Sequence, residues 1–267
     1  MNKFDWDAND YNKNSSMQYT LANELIPKLG LKGNERVLDV GCGDGKITAE
    51  IAKLLPDGSI VGIDISEDMI NFSKKNFASQ GIKNIDFIVD DATKMDFYDE
   101  FDLIVSFTCL HWIEDHVAVL NNVRKALKNS GRLFMQCGGK GNMPHLIEAL
   151  LNIASKDKWS KYFENFNFPW FFYGIDEYNT WLEQIGLIKK RVELVPKDIV
   201  HKGKEGLMGW IRTTWMPYTS RVPKELQSNF IEEIVDLYMM DNPIDDKGLL
   251  HVHMVRLEVE AIKLGVG

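Results

Sequence analysis

Three glycines at alternate positions follow a short apolar segment near the start of the chain. The segment VLDVGCGDGKITAEIA, residues 37–52, predicts a buried strand, a turn containing Gly41, Gly43 and Gly45, and then a helix. Glycine tolerates positive φ and has no Cβ, so the backbone of such a turn can pass close to a ligand. In open parallel sheets, ligands bind at the carboxyl ends of the strands. The turn is therefore the first candidate for a binding site.

Aspartates stand at the ends of the strands predicted around this turn. Asp64 ends the second strand, where a carboxylate can accept from both hydroxyls of a ribose. Asp91 follows the third strand, where a carboxylate can accept from the exocyclic amine of adenine. Asp39 lies inside the first strand and needs a partner if it is buried, either the backbone of the turn or a ligand ammonium. Each aspartate alone could simply cap a turn, but together they predict a nucleoside site.

The spacing and charge of the turn favour a sulfonium nucleoside over a dinucleotide. The dinucleotide fingerprint G-x-G-x-x-G places a pyrophosphate at a helix N-terminus, whereas this turn has the spacing G-x-G-x-G and contains Asp44. A carboxylate disfavours a neighbouring pyrophosphate but tolerates a ligand that carries a sulfonium and an ammonium. We therefore expect S-adenosylmethionine as cofactor, with S-adenosylhomocysteine as product, and no metal. An NAD-dependent oxidoreductase is the weaker alternative.

Apolar strands that alternate with helices predict the architecture around the turn. Continuous apolar strands separated by helices indicate a parallel sheet covered on both faces, and right-handed crossovers then give a doubly wound α/β fold. Strands are predicted at 36–40, 59–64, 84–89, 101–106 and 131–137, and helices at 15–29, 46–55, 66–80 and 115–128.

The pattern changes after Cys137, where aromatic residues become frequent. A helix over 176–184 and strands over 189–201 and 249–264 continue the core. The segments 140–174 and 203–247 are predicted to be insertions that fold together as a helical cap over the edge of the sheet. The expected division is thus 1–139 for the cofactor-binding core, 140–174 for cap, 175–202 for core, 203–247 for cap and 248–267 for the final strand.

The composition is that of a globular cytoplasmic protein. Of the 267 residues, 45% are hydrophobic and 26% are charged, and the net charge is -8 with neither half basic, so binding to nucleic acid is not expected. Three cysteines without a CxxC pair argue against a disulfide scaffold or a zinc site. The polar N-terminus is unlike a signal peptide, and no apolar run is long enough to span a membrane. A monomer and a homodimer both remain open.

Five segments within residues 36–137 resemble the core of class I S-adenosylmethionine-dependent methyltransferases: VLDVGCGDG, VGIDIS, FIVDDATKMDF, FDLIVSFTCLHWI and LKNSGRLFM. The resemblance implies a Rossmann-like sheet of seven strands, mostly parallel, with the last strand antiparallel. It also implies that the glycine turn cradles the methionine part of the cofactor, while Phe107 lines the methyl-transfer channel. The residues expected to bind the cofactor are Tyr11, Asp39, Gly41, Gly43, Gly45, Asp64, Ile65, Met69, Asp91, Ala92 and Phe107.

A narrower resemblance extends over more of the chain. The segments WDANDYNKNSSMQ, LHWIED and WIRTTWMPYTSRVP are similar to the trans-aconitate methyltransferase group and to the juvenile hormone acid methyltransferases. Those enzymes esterify carboxylates. The resemblance implies methyl transfer to a small-molecule acceptor, and a carboxylate is one candidate. Transfer to a protein or an RNA is the alternative, and a non-enzymatic binding protein on the same fold is a further one.

Methyl transfer is an in-line displacement at carbon, so the protein mainly has to align and desolvate the reactants. An anionic carboxylate needs no general base, whereas an acceptor that carries a proton usually does. His111 could orient the acceptor or act as that base, Trp112 could close the methyl channel, and the resemblance places Gln18 near the reaction centre.

Two arginines are the candidates for binding an acidic acceptor. Arg212 and Arg221 flank the segment WMPYT, and arginine binds a carboxylate through two parallel hydrogen bonds. Trp215 and Tyr218 could shape the same pocket. Surface ion pairs and core packing are the structural alternatives for these four residues.

Overall fold

Seven strands form one sheet in the part of the chain that the computed structural model describes, residues 16–78 and 80–265, with only the backbone described for 16–18 and 78. The strand order is β3-β2-β1-β4-β5-β7-β6. Strands β1 to β5 pair in parallel and β7 runs antiparallel to β5. The predicted doubly wound α/β fold is confirmed. The strands are β1 Arg36–Val40, β2 Ser59–Asp64, β3 Ile85–Val89, β4 Phe101–Phe107, β5 Leu127–Gly138, β6 Leu187–Lys202 and β7 Leu249–Lys263.

Strand β1 lies at the point where the chain changes direction across the sheet. Its neighbours are β2 on one side and β4 on the other. The connections that leave β1 and β4 therefore diverge at the carboxyl end of β1, which opens a crevice there. The glycine turn follows directly after Val40, so the fold places it in this crevice.

Apart from the end of the first helix, the core helices match the predicted ones to within two residues at each end. The helix predicted over 15–29 ends at Asn23, and a 3₁₀ turn follows over Ile26–Leu29, because Pro27 lacks an N–H and cannot continue an α-helix. Strand β5 begins at Leu127, before the predicted residue 131. The helices are α1 Ser16–Asn23, α2 Lys46–Lys53, α3 Glu67–Ala78, α4 His116–Ala126, α5 Pro144–Ala154, α6 Asp157–Ser160, α7 Ile175–Ile185, α8 Gly203–Thr214, α9 Met216–Thr219 and α10 Lys224–Asp241.

Alternate residues of the central strands pack against helices on opposite faces of the sheet. Leu38 and Ile104 belong to a cluster with side chains of α4 and α7. Val37 and Val105 belong to another cluster, with side chains of α1 and α2. Because neighbours in a strand point to opposite faces, Asp39 lies on the same face as Val37, which is the face that α2 covers.

The chain divides into two compact units. The first runs up to Lys140 and also contains Trp170–Val195 and the residues from Arg256 onwards. The second contains Gly141–Pro169 and Pro196–Val255, and its interior is aromatic: the ring of Phe230 lies 5.1 Å from that of Trp159 and 5.3 Å from that of Phe163. The cap boundaries expected from the sequence stay a prediction. Within the described ranges, every helix is too short or too polar to traverse a lipid bilayer.

The close approach of Gly41 to Cys109 allows the packing at the crevice to be tested by substitution of this glycine. Gly41 has φ +77, and a Cβ added there would lie 2.1 Å from the Sγ of Cys109. We expect Gly41→Ala to lower the free energy of unfolding by about 2 kcal/mol or more, from backbone strain and overpacking together. Urea unfolding measures the loss.

Two variants separate strain from overpacking. Gly81 has a similar φ of +71, and a Cβ there would meet no described atom within 4 Å, so Gly81→Ala should cost only about 1 kcal/mol. The double variant Gly41→Ala with Cys109→Gly should recover the overpacking part of the loss. Equal losses in the two single variants would show that the contact with Cys109 is unimportant.

Candidate functional site

The glycine turn is held against the end of β2 by backbone hydrogen bonds. The N–H groups of Gly41 and Cys42 both donate to the carbonyl of Ile63, at 2.8 and 3.0 Å. Gly41, Gly43 and Gly45 have φ of 77, 54 and 76°. Three positive φ angles within five residues are possible because these positions are glycine. The turn thus presents backbone without side chains at the carboxyl edge of the sheet.

Asp39 is a buried carboxylate with one oxygen left unsatisfied. It is 1% exposed, and its Oδ2 accepts from the hydroxyl of Thr48 at 2.7 Å. Its Oδ1 has no hydrogen-bond partner among the described residues. Burial raises the pKa of Asp39 to about 7, opposed by the Thr48 hydrogen bond and assisted by the charge of Asp64. A buried acceptor without a donor fits a site in which a ligand ammonium or a water completes the set.

Asp64 binds the turn directly. Its Oδ2 accepts from the N–H of Gly43 at 3.0 Å, and its Oδ1 accepts from the N–H of Ser66 at 2.9 Å. Burial raises the pKa of Asp64, and these backbone hydrogen bonds oppose the rise. Each carboxylate oxygen keeps a second lone pair, so a pair of ribose hydroxyls can still be accepted. Ile65 is half-buried beside it, and Met69 is buried on α3.

Asp91 caps the turn that follows β3. Its Oδ1 accepts from both the N–H and the hydroxyl of Thr93, at 2.9 and 2.7 Å, and the Lys94 ammonium lies 3.6 Å from Oδ2. Partial burial acts to raise the pKa of Asp91, but the bonds from Thr93 and the charge of Lys94 outweigh it and lower the pKa. Ala92 is buried next to it. Contacts of Asp91 and Ala92 with adenine stay a prediction.

The charge of Asp44 is partly compensated. Its Oδ2 lies 3.2 Å from the ammonium of Lys46, and its Oδ1 accepts from the N–H of the same residue at 3.3 Å. The sequence argument against a pyrophosphate assumed an isolated carboxylate in the turn. Because Lys46 compensates this charge, the preference for a sulfonium ligand depends on the G-x-G-x-G spacing and on the aspartates at the strand ends.

His111 lies after β4, in a 3₁₀ turn over Leu110–Trp112. Burial lowers its pKa well below the usual value, and the positive charge of Arg256 lowers it further. Its Nδ1 accepts from the N–H of Gly138 at 3.4 Å. The imidazole is therefore neutral at pH 7, with its proton on Nε2, and can donate a hydrogen bond there. It is poorly suited to act as a general base.

Aromatic rings surround His111. The centroid of Trp112 lies 5.4 Å away and that of Phe172 lies 6.1 Å away, and Trp112 in turn contacts Trp170 at 5.8 Å. Phe107 is buried, with its ring 6.2 Å from that of Phe134 in the core. The structure thus gives Phe107 a packing role, and a role for Phe107 or Trp112 beside a methyl channel stays a prediction.

The four substrate-binding candidates belong to the second unit, whereas the glycine turn and His111 belong to the first. Arg212 and Arg221 are exposed, and the Nε of Arg221 donates to the carbonyl of Tyr162 at 2.9 Å. Trp215 and Tyr218 are each 2% exposed, as expected for packed core residues. Substrate binding by these four stays a prediction. Tyr11 and the side chain of Gln18 lie outside the described residues.

Arg256 is a residue that the sequence reasoning missed. It is 2% exposed on β7, and its Nη2 donates to the hydroxyl of Thr108 at 3.2 Å. Thr108 directly follows β4 and has φ +58, which is strained for a β-branched residue. The available signal was an arginine within the predicted strand segment MVRLEV, in which Glu258 is the other charged residue. A guanidinium in a buried strand is costly and therefore indicates a function, but Arg256 was not among the predicted site residues.

Residues 31–183 match the family model described as a methyltransferase domain. Because this stretch covers more than half of the chain, the chain belongs to the methyltransferase domain family. The predictions of an enzyme, of a class I methyltransferase and of S-adenosylmethionine as its cofactor are confirmed.

Two relatives align over most of the chain. The 235L protein of Invertebrate iridescent virus 6, which is named a methyltransferase, is 29% identical over 234 residues, which cover 87% of this chain and 85% of the viral protein. The trans-aconitate 2-methyltransferase of Methylobacterium nodulans is 23% identical over 243 residues, which cover 85% of this chain and 86% of that enzyme.

A solved structure shares the fold. The phosphoethanolamine N-methyltransferase 2 of Haemonchus contortus, in complex with S-adenosyl-L-methionine, superposes with a TM-score of 0.59 at 17% identity. The superposition covers 92% of this chain and 53% of that protein.

The raised pKa of Asp39 predicts a pH dependence of stability. The folded protein holds this proton up to about pH 7, whereas the unfolded chain releases it near 3.8. The folded state therefore binds more protons between these values, and its stability falls as the pH rises from about 4 to 7. Between pH 4.5 and 7.5 we expect the free energy of unfolding of the cofactor-free protein to fall by roughly 3 kcal/mol more in the wild type than in Asp39→Asn.

Urea unfolding of the two proteins at pH 4.5 and 7.5 measures this difference. The exposed Asp57→Asn is the control and should keep the wild-type dependence. Identical slopes for wild type and Asp39→Asn would mean that Asp39 is ionised in the folded protein throughout this range.

Proposed function

We propose that the protein transfers the methyl group of S-adenosylmethionine to a carboxylate oxygen of a small-molecule acceptor. The observation that carries the choice of acceptor is the neutral, buried His111 at the ligand edge of β4. A neutral imidazole with a strongly lowered pKa removes a proton poorly, so an acceptor that is already anionic fits this site best. The name of the Methylobacterium nodulans relative, a trans-aconitate 2-methyltransferase, supports the same acceptor class.

Residues of the glycine turn and the strand ends would hold the cofactor. The open Oδ1 of Asp39 fits the cofactor ammonium, and the free lone pairs of Asp64 fit the ribose hydroxyls. The glycine backbone leaves room for the methionine part, with Ile65, Asp91 and Ala92 next to the adenine. Each assignment rests on the match between donor and acceptor chemistry at these atoms.

S-adenosylmethionine supplies a methyl group on a positively charged sulfur, which is already activated for transfer. The carbon–sulfur bond breaks with its electron pair on sulfur, a carbon–oxygen bond forms to the carboxylate, and no proton moves. The protein has to align the two reactants and exclude water. The ring cluster of His111, Trp112, Trp170 and Phe172 is suited to exclude water near this edge.

The removal of Asp64 tests the cofactor assignment. We expect Asp64→Ala to weaken S-adenosylhomocysteine binding by about 1–3 kcal/mol, because hydrogen bonds to a charged group are lost. Calorimetry measures the affinity, with the exposed Asp57→Ala as control. Unchanged affinity in Asp64→Ala would contradict the assignment of Asp64.

Tritium transfer from labelled S-adenosylmethionine tests the acceptor. Incubation with a panel of small carboxylic acids and their amides should label the acids alone, at the carboxyl oxygen. A parallel incubation with cell extract, followed by size separation, addresses the alternative. Label confined to the protein or RNA fraction would replace the small-molecule proposal.

The neutral state of His111 predicts a flat pH profile. With an acid acceptor and saturating cofactor, kcat should stay constant within about twofold from pH 6 to 8.5, because His111 does not titrate in that range. His111→Gln, which keeps a donor, should retain most of the rate. A rate that falls below pH 7 in the wild type but not in His111→Gln would identify His111 as a base.

A further inference from the structure

Arg256 is a buried cation that forms no ion pair with an acid of the described residues. Its Nε has no hydrogen-bond partner in residues 16–78 and 80–265, and its hydrogen bond to Thr108 goes to a neutral hydroxyl. Taking a guanidinium out of water is costly unless a counter-charge and hydrogen bonds replace the lost hydration. An arginine that the fold keeps buried without such a partner indicates a ligand that supplies one.

Another arginine of the same sheet shows what a structural arginine looks like. Arg191 on β6 bonds the carboxylates of Glu258 and Glu260, at 2.6 and 2.8 Å. Glu258 is the acid nearest in sequence to Arg256, but it bonds Arg191 through Oε2 and the amide of Gln136 through Oε1. Its charge attracts Arg256 at longer range without forming a hydrogen bond to it. The acid that could neutralise Arg256 is therefore committed elsewhere.

The position of Arg256 is at the ligand edge. It stands opposite Gly138, the last residue of β5, and β7 is antiparallel to β5. Thr108, which receives its hydrogen bond, is the first residue after β4. The N–H of Gly138 also binds His111, so the guanidinium and the imidazole flank the same residue. Two donors, one charged and one neutral, thus lie next to each other at the carboxyl ends of β4 and β5.

The strand order separates this donor pair from the cofactor turn. Strand β7 is three places from β1, which corresponds to about 14 Å between the strands. Asp39 and the glycine turn belong to β1 and its neighbour β2. The donor pair therefore lies beyond β4 from the cofactor turn. A carboxylate bound by the pair would face the cofactor across β4.

We infer that Arg256 binds the carboxylate of the methyl acceptor, with the Nε2–H of His111 as second donor, an inference that rests on the proposed function. Arg256 holds one carboxylate oxygen and leaves the other to receive the methyl group. The residue determines specificity for acids over amides and esters, because a neutral ligand would leave the guanidinium buried and unpaired. Arg212 and Arg221, which the sequence favoured, are exposed and carry no such penalty.

The test uses the full chain with S-adenosylhomocysteine bound, then turnover with labelled cofactor. The probes are trans-aconitate, benzoate and decanoate, each compared with the matching amide. The variants are Arg256→Gln, Arg256→Lys and, as control, Arg132→Gln, which alters an arginine of β5 that donates to the carbonyl of Leu29. Thermal midpoints, acid affinity by calorimetry, KM, kcat and the cofactor Kd are measured for each protein.

We expect Arg256→Gln to raise KM and the dissociation constant of the accepted acid by about 10- to 100-fold, the range for a lost charged hydrogen bond. The cofactor Kd should change less than twofold. Arg256→Lys should be intermediate, since it keeps the charge without the planar fork. The thermal midpoint of Arg256→Gln should equal or exceed that of the wild type, because an unpaired buried charge is removed. A purely structural arginine would give the opposite shift.

The inference is overturned if Arg256→Gln, or Arg256→Lys where the former does not fold, leaves the acid KM unchanged. Equal losses of cofactor and acid affinity would also overturn it, since Arg256 would then serve the cofactor. In both cases tritium transfer by the wild type keeps the proposed function intact. Failure of the wild type to bind or methylate any acid is a different result, which removes the carboxylate proposal and the role of Arg256 together.

Discussion

The carboxylate of Asp64 is the interaction on which the cofactor site depends. It joins the N–H of Gly43 in the turn after β1 to the N–H of Ser66 in the turn after β2. These two turns leave neighbouring parallel strands, and without a shared acceptor their buried N–H groups would be unsatisfied. The positive φ angles of the glycines bring the turn within reach of Asp64. Under the proposed function, the remaining lone pairs of the same carboxylate would accept from the ribose hydroxyls, so that the same two oxygens would position the turn and bind the nucleoside.

The charged groups at the carboxyl edge of the sheet are separated by sign. Acids lie near β1 and β2, and a basic residue lies on β7. Asp39 is buried on β1 and Asp64 is half-buried at the end of β2, and their raised pKa values reflect the cost of charge in that place. Arg256 is buried on β7, where burial lowers its pKa to about 10 and leaves it charged at neutral pH. The ionisable groups of this edge are thus acidic near β1 and β2 and basic on β7.

Most of the fold followed from the sequence because hydrophobic periodicity and glycine placement are local signals. The strand segments VLDV and FDLIV are apolar apart from one aspartate each, and each is followed by a turn, so they could be predicted as buried strands. Predicted element boundaries were wrong at two kinds of place. One is where a single residue ends a helix, as Pro27 does, and the other is where a strand follows a helix without a turn, as at Leu127. The positions of Asp64 and Asp91 at strand ends could be predicted for the same reason, whereas their contacts with the cofactor stay a prediction.

The environment of the candidate acceptor-binding residues could not be predicted from the sequence, because burial is a property of the whole fold. Arg212 and Arg221 occur beside aromatic residues in the sequence, but the structure exposes both side chains. Arg256 looks like one charge in a strand until the pairing with β5 shows that it is enclosed. The pairing of Asp44 with Lys46 also changed an electrostatic argument that used the sign of one residue alone.

The place of β7 between β5 and β6 constrains how the polypeptide reaches this state. Both flanking strands are synthesised earlier, so β7 has to enter an interior position in the sheet. Its register with β5 joins Arg132 to Ile262, which closes a long loop and carries a correspondingly large entropic cost. We expect this insertion to be the slow event of assembly. Since Arg256 lies on β7, it reaches the edge of the sheet only after the glycine turn and the six other strands have been synthesised.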